Sequence, residues 1–528
     1  MGTKKLQVWL PLIFSFIMVL GMIIGYQIKS NTKSNGFFAS SRASSLQEVT
    51  ELVKARYVDA IAGDSINQLA IDDLLAHLDP HSVYIPAADF RDVNDELMGN
   101  FQGIGVEFQI FNDTINVIQV FKNGPSDKAG IQVGDMIIKA NDTVKLAGIK
   151  IKSDSIRKQL RGPAGSAVKI SILRNGVQKD IVIKRGNIPV PSVDAAYIIA
   201  AQTGYIRINK FAERTYEEFM QNLEKLQKQG IDKLIIDLRG NGGGLMNEAT
   251  SIADEFLDGD KLIVYTQGNK SPRVEYRCRK EGLFEKGKLV VLVDETSASA
   301  SEVLSGALQD WDRAKIVGRR TFGKGLVQQQ FQLTDGSAVR LTVARYYTPL
   351  GRNIQKPYNK GKEKYEEELI NRFHDGELLK ADTAKKPGPS FKTASGHIVY
   401  GGGGITPDDF VPYDTSRMQA SFVQLYYKNT LSNFVYRYYM QRRSYFQSIH
   451  SVEELMQKFV PGENEWQLLN SFAAKDSIHL SNAGTKDKAE VLHRMQGLMA
   501  RQIWGNSGYF EVMNISDAIV KKGLEEFK

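Results

Sequence analysis

The chain has 528 residues, 42% hydrophobic and 24% charged, with 68 basic against 60 acidic side chains and a formal charge of +8. That composition is globular and too long for one hydrophobic core, and the scattered positive excess forms no basic stripe, which excludes a nucleic-acid partner. The single cysteine, Cys278, rules out an intramolecular disulfide and a Cys-based zinc site, and residues 200–370 contain no histidine, so a Ser-His-Asp triad confined there is excluded.

In chain order, Lys4 and Lys5 precede an uncharged stretch from Leu6 to Ile28. That length and the absence of a small-residue cleavage pattern predict a transmembrane anchor or uncleaved signal over 1–28 with its N-terminus inside, a cleaved signal peptide being the alternative. Residues 29–45 are rich in Ser, Asn and Lys and read as a linker. Over 46–98 the spacing of Leu46, Val49, Leu52 and Val53, then Ile66, Leu69, Leu74 and Leu75, predicts a helical segment. It turns at Leu78-Asp79-Pro80-His81-Ser82, where Pro80 disfavours helix at Asp79; His81 there reads as a turn residue. Over 99–186 short alternating strands and the hairpin signal Asn175-Gly176 predict a β-rich module. From 187 to 355 the runs Leu234–Leu238 and Leu289–Val293 predict buried strands of an α/β fold. Ala300, Val303, Leu304, Ala307, Leu308 and Trp311 fall on one face of a helix. Residues 356–403, rich in Lys, Glu, Gly and Pro, read as a mobile insertion, and 416–528 as a helical extension.

Three segments carry chemistry. Ser297-Ala298-Ser299-Ala300-Ser301-Glu302 runs from a buried strand into the amphipathic helix. A serine there can act as a nucleophile beside unpaired N–H groups, but Ser299-x-x-Glu302 fits a capping box, which is what the motif taken alone favours, and Ser297 and Ser301 compete for the role. Gly242-Gly243-Gly244 lets backbone N–H groups approach a ligand and can form one wall of an oxyanion hole, or it is simply a turn. Gly318 to Gly325 nearly matches a phosphate-binding loop, but Gly325 stands where a magnesium-binding Ser or Thr is needed and a strand pattern follows. Lys324, flanked by glycines, reads instead as a side chain directed into a cleft.

Together these residues resemble the carboxyl-terminal processing peptidases, also called tail-specific proteases. The resemblance rests on Leu-Asp-Pro-His-Ser, Phe101-Gln102-Gly103-Ile104-Gly105-Val106, Gly124-Pro125-Ser126, Asp-Leu-Arg-Gly-Asn-Gly-Gly-Gly, Ser-Ala-Ser-Ala-Ser-Glu, Thr-Phe-Gly-Lys-Gly-Leu-Val-Gln and Gly351-Arg352-Asn353-Ile354-Gln355. It implies a multidomain α+β chain: an α/β serine peptidase core of the ClpP/crotonase-like type over 187–355, resuming at 404–415, with a PDZ module over 99–186. It further implies Ser299 as nucleophile and Lys324 as general base, twenty-five residues apart, with Gln328 orienting the lysine and Asp310 in support. Gly243 and Ala300 are the oxyanion-hole candidates. Gly103, Ile104, Gly105, Val106 and Phe108 are the residues expected to receive a peptide tail as an added strand. Neither a metal nor an organic cofactor is needed. The implied partners are proteins with exposed C-terminal tails, together with the membrane and an adaptor protein or a second copy of the chain. The implied location is a bacterial inner membrane, with the catalytic part on the periplasmic or extracytoplasmic side. The alternative is a catalytically weak PDZ adaptor or scaffold on a peptidase fold. The family's Gly-Ile-x-Pro-Asp element, Gly404-Ile405-Thr406-Pro407-Asp408 here, comes only after the insertion.

Overall fold

The apolar runs at 234–238 and 289–293 are neighbouring parallel strands, Lys233–Asp237 and Lys288–Val293, at the centre of a six-stranded sheet. They belong to a computed structural model that describes residues 45–59, 63–111, 113–380, 388–414, 420–480 and 484–528, with Ser15 and residues 18–20. Strand order is Val193–Ala200, Thr203–Ile208, Lys233–Asp237, Lys288–Val293, Lys315–Gly318 and Asp409–Phe410. Only the first pair is antiparallel. Leu234, Ile236, Leu289, Val291 and Val293 pack into one core with residues of helices Thr215–Gln227, Met246–Ala253 and Ala300–Asp310. Ile235, Val290 and Leu292 join Ile519 and Val520 of the C-terminal helix Ala518–Glu525 on the other face. Burial of both faces explains why these strands read as unbroken apolar runs.

A second, antiparallel sheet carries the other half of the core. Strands Leu326–Gln332 and Ala338–Tyr347 form a hairpin, and Val83–Ile85 and Leu262–Gln267 pair with Ala338–Tyr347. The segment after Lys324 is therefore a strand, which removes the phosphate-loop reading. The Leu78–Ser82 turn is closed by Asp79, whose Oδ1 accepts the N–H groups of His81 (2.8 Å) and Ser82 (2.9 Å). Ser82 Oγ in turn accepts the Thr342 N–H at 3.1 Å, docking the turn on the hairpin.

The PDZ region is a sheet in the order Val106–Phe111, Thr114–Val120, Met136–Ala140, Ala167–Arg174, Val177–Lys184, closed over Ile115, Val117, Ile137, Ile156 and Ile170. Its chain entrance and exit are zipped together as the antiparallel pair Asn100–Gly103 and Gly186–Pro189. The C-terminal helices build their own aromatic core around Phe434, Phe446, Phe459 and Trp466. They touch both other parts. Tyr436 stacks on Phe111 of the PDZ region at 5.0 Å, Arg501 pairs with Glu107 at 3.0 Å, and Phe510 lies under Arg207 of the core at 4.4 Å.

The insertion differs from its reading as mobile. Helix Lys362–His374 and the hairpin Ser390–Lys392/Ile398–Tyr400 pack on the core, because Tyr365 and Arg372 are buried side chains with partners there; residues 381–387 lie outside the described ones.

Residues 1–74 form a separate unit from residues 75–528. Its helix Ser45–Arg56 buries no residue, and helix Gly63–Ala76 begins in it. The single-pass inner-membrane expectation is corrected here, and with it the assignment of the catalytic part to the periplasmic side. Among the described residues no helix is long and apolar enough to cross a membrane. A span needs about 20 consecutive apolar residues; the 29-residue helix Thr485–Met513 is interrupted by Lys488, Glu490, Arg494 and Arg501. Of the stretch 1–28, only Ser15 and residues 18–20 are among the described residues, and the linker 29–45 lies outside them up to Ser45.

Candidate active site

The serine segment is shaped by its own polar side chains. At the end of strand Lys288–Val293 the Asp294 carboxylate accepts the N–H groups of Thr296 (3.0 Å) and Ser297 (3.1 Å), turning the chain toward helix Ala300–Asp310. Ser297 Oγ then donates to the Leu238 carbonyl and Ser301 Oγ to the Asn241 carbonyl, each at 2.9 Å, and both residues are fully buried. Ser299 between them is half-buried and lines a cleft of about 710 Å3. Its backbone sits at φ 54, ψ −113, a conformation that costs a non-glycine residue of order 1–3 kcal/mol and is usually retained at functional sites.

Lys324 reaches the same cleft from the loop before strand Leu326–Gln332. Its Nζ donates to Gln328 Oε1 at 3.0 Å, and Gln328 Nε2 donates to the His81 carbonyl at 2.5 Å. Burial lowers the Lys324 pKa, with Arg340 adding to the effect and Asp79 and Glu302 opposing it. The charged ammonium is thus disfavoured, as a lysine base requires.

Glu302 joins the two halves. Its buried carboxylate accepts the N–H groups of Ser299 (2.9 Å), Gly323 (2.8 Å) and Lys324 (2.8 Å) and the Thr321 hydroxyl. Burial raises its pKa, and those four donors work against the rise. The Tyr346 hydroxyl adds a second tie, lying 3.0 Å from the Ser299 carbonyl and 2.5 Å from that of Lys324. The capping pattern pointed to Glu302 only as a local helix cap; nothing in the sequence pointed to Tyr346 or to the His81 carbonyl.

The glycine segment passes directly over the serine. A Cβ on Gly243 would lie 2.7 Å from both Ser299 Cβ and the Ala298 carbonyl oxygen, so only glycine fits. Gly243 and Ala300 line the cleft with Ser299 and Lys324. The Gly243 N–H, however, donates to Asn241 Oδ1 at 2.9 Å. Ala300 opens the helix, where N–H groups have no intrahelical acceptor.

Asp310 lies away from the cleft. It is fully buried in an ion pair with Arg352 at 2.5 Å, and its Oδ2 accepts the Leu350 N–H at 2.9 Å. It anchors the Tyr347–Gln355 segment to the serine helix. Asp310→Ala strands the Arg352 guanidinium in the interior, and a loss of about 3–5 kcal/mol is expected in denaturant unfolding.

A second groove of about 270 Å3 lies in the PDZ region between Ile104–Phe108 and helix Ser153–Leu160. Ile104, Gly105, Val106 and Phe108 line it; Gly103 does not, being packed against the Phe101 ring and Arg161. The carbonyls of Ile104 and Gly105 accept from Ser126 and Phe121 N–H groups at 2.9 and 3.2 Å.

Residues 202–361 match peptidase family S41, residues 102–184 match the PDZ domain, and residues 421–505 match a family of unknown function. The chain is 36% identical over 344 residues to the "Carboxy-terminal-processing protease" of Bartonella bacilliformis, covering 63% of this chain and 76% of that protein. It is 34% identical over 358 residues to the "Probable CtpA-like serine protease" of Staphylococcus epidermidis, covering 66% of this chain and 72% of that one. The chain belongs to the carboxy-terminal-processing proteases. Among solved structures, the photosystem II D1 C-terminal processing protease aligns over 69% of this chain and 86% of its own, at 27% identity and a TM-score of 0.35.

This carboxy-terminal-processing protease is a serine-type peptidase with a PDZ domain. Its Asp-Leu-Arg segment does not enter the cleft. Asp237 is fully buried between Arg207 (3.0 Å) and Arg239 (2.6 Å) and accepts from the Tyr205 hydroxyl at 2.6 Å. Although burial alone would raise its pKa, Arg239 and Arg207 hold this carboxyl well below the usual carboxylate range. Arg239 also binds Asp517 at 2.8 Å, which fastens the C-terminal helix to the core.

Proposed function

We propose that the protease hydrolyses peptide bonds with a Ser299–Lys324 dyad, on substrates selected by a C-terminal tail held in the PDZ groove. Ser299 Oγ attacks the peptide carbonyl, Lys324 takes its proton and returns it to the leaving amine, and water then hydrolyses the acyl-enzyme. One observation carries the reading. The only serine of the three that lines the cleft shares it with a lysine whose positive charge is disfavoured and whose Nζ is held by Gln328. The Ala300 N–H is the oxyanion donor at hand, and Gly243 would contribute once its N–H leaves Asn241. Strand Leu326–Gln332, whose described pairing is to Ala338–Tyr347, offers its other edge for an extended substrate along the cleft.

The testing experiment is labelling of the purified full chain with a fluorophosphonate probe. The label is expected on Ser299, lost in Ser299→Ala and kept in Ser297→Ala. Label on Ser297 or Ser301, or none on active enzyme, overturns the assignment.

Tail selection rests on the loop Ile104–Val106. Its first two carbonyls are engaged inside the domain, so it offers N–H groups to a ligand, and these satisfy a carboxylate far better than an amide. Amidating the C-terminus of a peptide-tailed protein is therefore expected to lower its initial cleavage rate. Gly105→Val is expected to reproduce the loss, because Gly105 has φ 76 and a Cβ there meets Ile188 at 2.8 Å. Equal rates for free-acid and amidated substrates would leave the domain some other task.

A further inference from the structure

The match to peptidase family S41 ends at residue 361, and the insertion helix Lys362–His374 follows it directly. Two of its side chains, Tyr365 and Arg372, are each 3% exposed and reach into the surroundings of Lys324. The Tyr365 hydroxyl shares a 2.8 Å hydrogen bond with His81 Nε2. The carbonyl of that same His81 receives Gln328 Nε2, whose other end holds Lys324 Nζ. On its other side Tyr365 meets Gln355 Nε2 at 3.4 Å, and Gln355 Oε1 accepts the Gly325 N–H at 2.8 Å. The contacts close a ring that runs Lys324, Gln328, His81, Tyr365, Gln355, Gly325 and back to the lysine's own backbone.

Arg372 works on the other flank. Its guanidinium donates to three successive carbonyls, those of Arg320 (3.2 Å), Thr321 (2.8 Å) and Phe322 (3.1 Å), immediately before Gly323-Lys324. Glu368 on the same helix holds Arg372 at 2.7 Å and Lys356 at 3.0 Å. A glycine-flanked loop has high backbone freedom, and three consecutive carbonyls held by one planar fork remove much of it. For efficient transfer the lysine nitrogen must lie within hydrogen-bond reach of the serine oxygen, about 2.6–3.2 Å, so a loop held this way is pre-organised for the step.

We propose that Tyr365 and Arg372 are positioning residues for Lys324, Tyr365 acting through His81 and Gln328, and Arg372 through the carbonyls of residues 320–322. The insertion is on this account part of the catalytic frame rather than a peripheral addition. His81 takes part as a neutral ring, since burial and the nearby Lys324 push its pKa down to about 4. The inference rests on the reading of Lys324 as the base.

The test is steady-state kinetics of the full chain on denatured casein, comparing wild type, Tyr365→Phe, Gln328→Ala and the double variant, with thermal midpoints measured alongside. Tyr365→Phe removes one oxygen and keeps the ring packed on Phe322. It is expected to lower kcat about ten-fold while KM stays within about two-fold. In the Gln328→Ala background the same change is expected to cost less than about two-fold, because the path it acts through is already broken. Equal losses in both backgrounds, or an unchanged kcat, would overturn Tyr365 as a positioning residue. Arg372→Lys keeps the charge but cannot span three carbonyls, and is expected to lower kcat at constant KM; a shift confined to the thermal midpoint would make it a structural brace. Lys324→Arg in the same assay reports on the base separately. Were that variant active, the dyad reading would fail while the Tyr365–Gln328 cycle would still return its own answer.

Discussion

Ser299→Ala is expected to abolish turnover of an unfolded protein substrate while the chain remains folded. Removing the nucleophile of a serine peptidase costs on the order of 10^4-fold or more in kcat. The fold should tolerate the change because the stabilising contacts of this helix start come from elsewhere. The Ser299 N–H is held by Glu302, and the neighbouring hydroxyls of Ser297 and Ser301 make the ties to the Leu238 and Asn241 carbonyls. Loss of an N-cap hydroxyl costs about 1 kcal/mol at typical sites, which sets the scale of any stability change in thermal unfolding. The informative controls are Ser297→Ala and Ser301→Ala. Each leaves a buried carbonyl without its donor and should therefore cost stability rather than chemistry. Full turnover in Ser299→Ala would reverse the assignment.

Lys324→Arg is expected to be inactive as well, although the positive charge is kept. An arginine cannot lose its proton in this range and so cannot accept one from Ser299. The sign of the pH dependence follows from the same point. Burial first, then Arg340, disfavours the Lys324 ammonium, while Asp79 and Glu302 favour it, with a net lowering from 10.5. Only the unprotonated amine is a base, so kcat/KM should rise with pH along a limb centred below 10.5 and be lost on acidification. His81, also close by, is neutral above about pH 4 and does not produce that limb. Normal activity in Lys324→Arg, or a rate independent of pH across the limb, would reduce the lysine to a fixed charge.

Much of the fold was legible because its signals are local. The runs at 234–238 and 289–293 announced doubly buried strands. Asn175-Gly176 announced a hairpin, and its residues take φ 51 and φ 80, as a tight two-residue turn requires. Ser299 with Glu302 read as a helix start, and one arm of that cap is present. The family resemblance implied roles for Ser299, Lys324 and Gln328, and these residues line one cleft with Gly243 and Ala300. The reading of residues 1–28 as a membrane anchor shows the opposite limit. A hydropathy pattern states what a segment resembles, and the described residues supply no spanning helix to support it.

What the amino-acid sequence determined by itself was the set of elements and the short motifs, since each depends on residues within about a turn of one another. What only the tertiary structure decided was which of those residues meet. Three serines stand two residues apart, and periodicity cannot tell them apart; the carbonyls of Leu238 and Asn241, some sixty residues upstream, engage two of them and leave Ser299 to the cleft. Glu302 looked like a cap, but a buried carboxylate must find every available donor, and it found them in the lysine loop. Gln328 meets His81 across 247 residues of chain. The insertion read as mobile because its composition is polar, yet Tyr365 and Arg372 find buried partners only once the loop at 320–325 is folded beside them. Asp310 likewise looked like a site residue until Arg352 was brought against it. Such contacts leave no periodicity in the sequence, because they are set by the packing of elements that lie far apart along the chain.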